Sequence, residues 1–432
     1  MICDDSKMRS HVRLTALAVA VAAAAILPLS VAAATAAAAA AARWHVAGLA
    51  SAPGSSGGIL AAVACSGGTR CVAGGSYYVK TAFSQDAMIV AESSGKWGSE
   101  RKLRLPAGAL AEDQRATIAS VSCPAATSCV AVGSDATKAG LGGFLATGHG
   151  SKWGRAFSPA WPKGTIEPPV GYLTGVSCTS RGTCVAVGGY TDAAGNGEPM
   201  VVAESRGHWR RAVAIRLPAN AVANPDAHLT AVSCPAAGDC VAVGIYTIKD
   251  NQGEALAVTE VKGRWKRASE IQLPAVTVEP FAVLYSVSCV KPGACVAVGS
   301  YVTGSATDAL TVAESGGRWR RGVGLTALPS GAAEGGSASA NLNGVSCSAS
   351  ECLAVGDYLD EQGGDLSMAI TESRGKWSRG VRVGPPAHAA TGSAQSADLF
   401  AVACLRGGPC TAVGDYTTTS DGLEAMVATS GK

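Results

Sequence analysis

LTAVSCPAAGDCVAVG, at residues 229–244, is written seven times along this chain with little change. Each copy has Leu or Ile five residues before a Cys and Val two before it, then Cys-x5-Cys and a close relative of Val-Ala-Val-Gly. The pairs are Cys65/Cys71, Cys123/Cys129, Cys178/Cys184, Cys234/Cys240, Cys289/Cys295, Cys347/Cys352 and Cys404/Cys410; only the sixth is shortened, to four intervening residues. First cysteines follow one another after 58, 55, 56, 55, 58 and 57 residues. A fixed period of this size means a propeller, a solenoid or an array.

With 432 residues, 47% of them hydrophobic, the chain can bury a large core. A net charge of +3 and a charged fraction of 16% leave no clustered basic footprint, so no nucleic-acid partner is expected. Fourteen of the fifteen cysteines fall in the seven pairs. Paired cysteines at fixed spacing in a secreted chain read as disulfides. Zinc would favour closer spacing with His or further Cys nearby, and the six His track no repeat. No metal and no cofactor are expected.

Arg9, His11 and Arg13 precede an apolar run over residues 14–29, followed by small residues offering Ala-x-Ala sites. This reads as a secretory signal peptide, with Met8 the more usual start and cleavage between Ala34 and Ala42. An uncleaved anchor is the alternative, because the run is long enough to span a bilayer. The expected division is a leader over residues 1–42 and one domain over residues 43–432. That domain would be secreted, without stable membrane insertion after cleavage, and a monomer.

Within one copy, LTAVSC alternates with period two, which marks a strand. The equivalents of Ala231 are all small (Ala62, Ser120, Gly175, Ser286, Gly344, Ala401), as a strand crowded at a central axis requires. Residues 235–239 turn the chain, residues 240–246 make a second strand, and the Cys pair staples this hairpin. After a polar stretch, residues 255–261 form a third strand. A Lys262-Gly263 turn leads to a fourth, from Arg264-Trp265 to Leu273-Pro274. The Trp recurs at 97, 153, 209, 319 and 377. Four antiparallel strands repeated seven times define an all-β, seven-bladed β-propeller.

The ends support closure. The last copy stops after EAMVATSGK, where its siblings continue into Trp, and ARWHVAGLA around Trp44 supplies the missing strand at the other end. The N-terminal strand should therefore complete the seventh blade and remove a free edge.

VAVGGY at residues 185–190, Trp209 and Leu217-Pro218 resemble kelch repeats of the galactose-oxidase type over the second to fourth strands. The turn in ESRGHW resembles the Asp-box of sialidase-like propellers, without its Asp. Over the whole of residues 43–432, the chain is similar to secreted actinobacterial proteins with tandem SC-x5-CVAVG repeats. That resemblance implies a compartment and a fold, and no reaction.

Strand order puts the Cys hairpins and Gly-x-Trp turns on one face, and the longer, variable loops on the other. Variable loops on a rigid scaffold are where binding usually resides. Two features ring that face in six blades. One is a Tyr six residues after the second Cys (Tyr77, Tyr190, Tyr246, Tyr301, Tyr358, Tyr416). The other is an acid opening the third strand (Asp86, Glu198, Glu254, Asp308, Asp365, Glu424). They form a candidate sugar- or cation-binding rim, with Tyr as stacking platforms. The alternative is that Tyr packs between blades and the acid makes a repeated hydrogen bond. Blade two breaks both patterns, with Asp135 in place of Tyr.

A further acid (Glu92, Glu204, Glu260, Glu314, Glu372) sits beside the tight turn and reads as turn chemistry. The basic pairs after Trp (Arg210-Arg211, Lys266-Arg267, Arg320-Arg321) line the outermost strand, where charge blocks edge pairing. They would also suit an anionic wall polymer.

No Ser-His-Asp set, Arg cluster or copper-ligand set stands out, and His45, His149, His208, His228 and His388 lie in different parts of different blades. The expectation is thus a binding or scaffold module for an extracellular protein or carbohydrate, with no catalytic residues and not an enzyme. The alternatives are a polysaccharide hydrolase or lyase with carboxylates on the variable face, and a wall-associated structural or adhesion protein. An enzyme would show residues at the axial mouth that break the sevenfold pattern.

Overall fold

Seven sheets, each built on four antiparallel strands that follow chain order in every blade but the closing one, make the protein an all-β, seven-bladed propeller. The computed structural model describes residues 44–49, 54–67, 70–80, 84–149, 152–274 and 281–431. The expected leader over residues 1–42 lies outside them. Among the described residues, three single-turn 3-10 segments are the only helical elements, and no helix is long and apolar enough to cross a membrane.

The fourth blade shows the pattern: His228–Ala236 pairs antiparallel with Asp239–Thr247, which pairs with Gly253–Val261. Alternate residues point to opposite faces, so Val241, Val243, Ala255 and Ala257 pack against the following blade. Ala242 and Val258, facing the other way, pack against the preceding one. Trp44–Gly48 pairs antiparallel with Leu423–Ser430 and closes the ring.

All seven cysteine pairs are disulfides that staple the first hairpin of each blade, with Cα atoms 3.9–4.1 Å apart. Their place in the molecule is the core and not a functional site. The second cysteine of a pair opens an inner strand and faces the neighbouring blade, so Cys71, Cys129, Cys184, Cys240, Cys295 and Cys352 are all buried. Cys129 packs with Ile118, Val121 and Phe144, Cys184 with Leu173 and Val176, and Cys352 with Leu342 and Val345. The seven pairs are the disulfides that the spacing predicts, and the buried second cysteines serve the core as well.

The outermost strand departs from the sequence reading. It is broken into Arg264–Trp265 and Ser269–Glu270 rather than running on to Pro274. The cause is a bond to the preceding blade: the Ala268 amide donates to the Arg216 carbonyl at 2.8 Å. Ala156, Ala212, Gly322 and Gly380 repeat this contact on Arg104, Ala160, Gln272 and Ala327. In the three blades with a basic pair after Trp, the second of the pair follows the same path. Arg211, Arg267 and Arg321 donate through Nη1 to the carbonyls of Trp161, Leu217 and Leu273, at 2.8, 2.6 and 2.7 Å. These guanidiniums cross-link blades, where their sequence position suggests an edge-blocking charge.

A second cross-link runs near the axis. The Ser before the first Cys of one blade accepts the amide of the first Cys of the next, as from Cys234 to Ser177 and from Cys289 to Ser233, each at 3.0 Å. Two turn glutamates cap backbone amides: Glu92 accepts from Cys71 at 3.1 Å and also from Gly95, and Glu372 accepts from Gly375, whereas Glu204, Glu260 and Glu314 each keep a buried oxygen without a partner among the described residues. In the closing blade Ser430 stands in for Glu, accepting the Cys410 amide at 2.9 Å.

Candidate active site at the axial mouth

Every first strand carries a register shift one residue before its small axial residue, as between Leu399 and Ala401. Such a bulge re-aims side chains. Here it turns the residues flanking the repeated Leu, such as Asp398 and Phe400, toward the axis. The bulge is possible because the Gly of Val-Ala-Val-Gly lies beneath it. A Cβ on Gly188, Gly244, Gly356 or Gly414 would stand 1.7–2.1 Å from the carbonyl oxygen of Tyr172, His228, Asn341 or Asp398. The motif that defines the repeat thus holds the mouth open for whatever side chains the seven blades supply.

What they supply is not sevenfold. The position of Asp398 holds Ile59, Thr117, Tyr172, His228, Val283 and Asn341 elsewhere, and its partner position Asp415 holds Ser76, Ser134, Gly189, Ile245, Ser300 and Asp357. Polar chemistry gathers on blades six and seven, around an opening of about 630 Å³. Tyr285, Asn341, Asn343, Asp357, Asp398 and Phe400 line it, with Asp365 and Ser339 further out.

The carboxyl groups there sit in unlike environments. Asp357 is raised by burial, but two amides oppose the shift: Asn341 Nδ2 donates to its Oδ2 at 2.9 Å and Asn343 Nδ2 to its Oδ1 at 2.8 Å. Asp398 is pushed up to about 7, first by burial and then by the charges of Asp357, Asp415 and Asp365. Asp415, across the register from Asp398, is pushed up to about 7 by burial alone. Unlike environments around neighbouring carboxyls are the kind of arrangement from which an acid and base pair can be built. Elsewhere on the mouth Tyr172 stacks edge-on against His228, ring centroids 5.8 Å apart. Burial raises that Tyr to about 12 and lowers that His.

Of the twelve rim candidates, only Asp365 reaches this opening. Tyr190, Tyr246, Tyr301, Tyr358 and Tyr416 are buried between blades, and Tyr77 is half-buried. A ring packed on both faces has none left for a sugar. The Tyr77 hydroxyl donates to Asp86 at 3.1 Å, and that of Tyr416 to Glu424 at 2.7 Å. Tyr246 reaches Asn220 and Glu270 rather than Glu254, which burial raises to about 7. Tyr301 bonds Asp308. Burial raises Tyr190 and Tyr358, and it also raises Glu198 and Asp365. In blade two, Asp135 is buried with Oδ2 unpartnered and is raised to about 6. The disulfides stay clear of the opening as well; none of their cysteines, Cys129, Cys184 and Cys352 included, lines it.

The mouth acids escaped the sequence reading because they sit inside strands at positions that vary by blade. The available signal was VGDY at residues 355–358 and 413–416, where blades three to five have VGGY, VGIY and VGSY.

No protein-family model matches the chain, and no curated protein is similar to it in sequence. Solved structures do share its fold. An ulvan lyase, a polysaccharide lyase, superposes with a TM-score of 0.56 at 10% identity over 86% of this chain and 94% of its own. Its complex with a -[GlcA(1-4)Rha3S]- ligand gives 0.52 at 10% identity, over 82% and 89%. Trypanosoma rangeli sialidase in complex with sialic acid gives 0.44 at 11% identity, over 87% of this chain; the chain spans about half of that protein's length, 54%. The class defined here is a disulfide-stapled seven-bladed propeller with an acidic axial mouth. The expectation that the chain is not an enzyme is corrected: the solved structures that share its fold include enzymes, and the mouth gathers unlike carboxyls that break the repeat.

Proposed function

We propose that the protein is an extracellular glycan-acting hydrolase working at the axial mouth. The observation that carries this reading is the pairing of Asp357, hydrogen-bonded by two amides, with Asp398, pushed up to about 7. Asp398, protonated, donates a proton to the glycosidic oxygen as the bond to the leaving sugar breaks. Asp357, as carboxylate, takes the complementary role of base toward water or of nucleophile. Tyr285 and Phe400 give sugar rings an apolar wall. The ulvan lyase structures support glycan chemistry on this fold. Hydrolysis is favoured over elimination because, among the described residues, no Lys or Arg lines the opening to neutralise a uronate.

Seven disulfides fit an oxidising compartment, and with the leader they support secretion of residues 43–432 as one domain.

The test is a panel of neutral, amino and anionic polysaccharides incubated with the oxidised protein, followed for new reducing ends and for unsaturated products. Reducing ends that disappear in Asp398→Asn and Asp357→Asn support hydrolysis. Unsaturated products would replace it with elimination, and binding without turnover by wild type would reduce the site to a lectin-like one.

A further inference from the structure

Charge decides what such a mouth can accept. Asp357, Asp365 and Asp415 all raise Asp398, Asp365 also raises Asp357, and no Lys, Arg or His enters among the influences on any of the four. Asp360 adds a fifth negative charge through its effect on Asp365. Among the described residues the only ion pair is elsewhere, between Lys102 and Asp86. A chain with net charge +3 has therefore gathered uncompensated acids on two adjacent blades.

Asp415 is the clearest case of an acid here without a counter-charge. It is 4% exposed, yet its carboxyl has no hydrogen-bond partner among the described residues. Its side chain shares a sheet face with that of Asp398, its register partner, which lines the opening. A buried carboxyl without a donor is costly unless a partner arrives. Among the described residues no three carboxylate, imidazole or thiolate groups converge on one point. The demand is for positive charges spread along an extended ligand.

We infer that the axial mouth selects a glycan carrying free, protonated amines, such as a polymer of glucosamine, and rejects uronate or sulfated chains. This rests on the glycan reading above and adds the sign of the substrate's charge. Asp365 and Asp415 would hold the ammonium groups, leaving Asp398 to its proton, while Tyr285 and Phe400 stack on the rings. The two Asn amides turn toward Asp357 and leave their carbonyl oxygens as acceptors for further ammonium or hydroxyl protons. A Lys-rich peptide shares the charge but not the flat, polyhydroxylated surface that an aromatic wall and amide pair suit.

The probe set is glucosamine oligomers, their N-acetylated counterparts, oligouronates and oligolysine of equal length, measured by calorimetry near neutral pH at low salt. Glucosamine oligomers should bind on the order of tenfold or more tighter than N-acetylated ones, as a charge-assisted bond allows. Asp415→Asn, isosteric and relieved of a buried charge, should fold and lose most of that preference. Equal affinity for both sugars, or tighter binding of oligouronates, would overturn the charge inference while keeping the glycan site. Oligolysine binding as tightly as glucosamine oligomers would overturn the sugar assignment. Failure of every glycan to bind, in wild type and Asp415→Asn alike, would remove the glycan reading itself.

Discussion

A Cβ on Gly414 would stand 1.7 Å from the carbonyl oxygen of Asp398, so the repeat glycine and the mouth acid form one structural unit. Gly414→Ala must push the bulge away or displace the second strand, neither of which a stapled blade does cheaply. We expect a loss of about 3 kcal/mol or more, seen as a lowered Tm, with loss of activity on any substrate found. Gly384→Ala, with nothing within 4 Å of its Cβ, is the control and should change little. An unchanged Tm for the Gly414 variant would contradict the coupling.

Stability should depend on pH through Asp415. Its folded value of about 7 lies above the ordinary 3.8, so the folded state holds the proton more tightly than the unfolded one. The resulting stability is fully present below about pH 4 and is lost as pH rises through about 7. A rise of this size corresponds to roughly 4 kcal/mol, an upper figure for a group facing Asp398. Asp415→Asn should therefore be more stable than wild type above about pH 7 and should flatten the profile. Thermal melts across the range from acid to alkaline check this, and a variant less stable at alkaline pH would count against it.

Asn343 positions the base. Its Nδ2 donates to Asp357 Oδ1 at 2.8 Å and to the Leu399 carbonyl at 3.1 Å, tying blade six to blade seven. Asn343→Ala removes a donor that favours the charged carboxylate, so the Asp357 pKa should rise. The acid limb of the activity profile should then move to higher pH, with activity down on the order of tenfold or more. A uniform loss with an unmoved profile would mean that Asn343 only packs.

Ring closure is testable by deletion. Removing residues 44–48 exposes the full edge of Leu423–Ser430. An open edge invites strand addition, so the shortened protein should melt lower and self-associate in sedimentation experiments. A monomer of unchanged Tm would show that the ring closes without the N-terminal strand.

Reduction should be costly in sum. Each disulfide joins cysteines only five or six residues apart and is worth about 2 kcal/mol in the chain-entropy model. Melts with and without reductant should differ by more than removal of any one pair produces. Equal melts would show the staples to be thermodynamically silent.

The seven blades, their four strands, the staples and the split seventh blade are all legible in period and alternation, because each is a local pattern repeated. The outer strand looks continuous in sequence because its break depends on amides such as that of Ala268 bonding to Arg216 in another blade. The Tyr and acid rim is legible as a pattern, yet repetition cannot say whether Tyr246 faces solvent or a neighbouring blade. Burial of that ring between blades decides it. The cysteines behave alike: spacing pairs Cys123 with Cys129, and packing alone puts Cys129 in the core.

The sequence by itself determined the architecture, since a repeat that cannot bury its own faces must stack, and seven copies with a shared last blade must close. Only the tertiary structure decided where the chemistry lies. Asn341 and Asp398 are 57 residues apart and belong to different blades, and each looks like ordinary drift within its own copy. Closing the ring brings the seven variable positions of the first strands to one mouth, where differences between copies become a single asymmetric site.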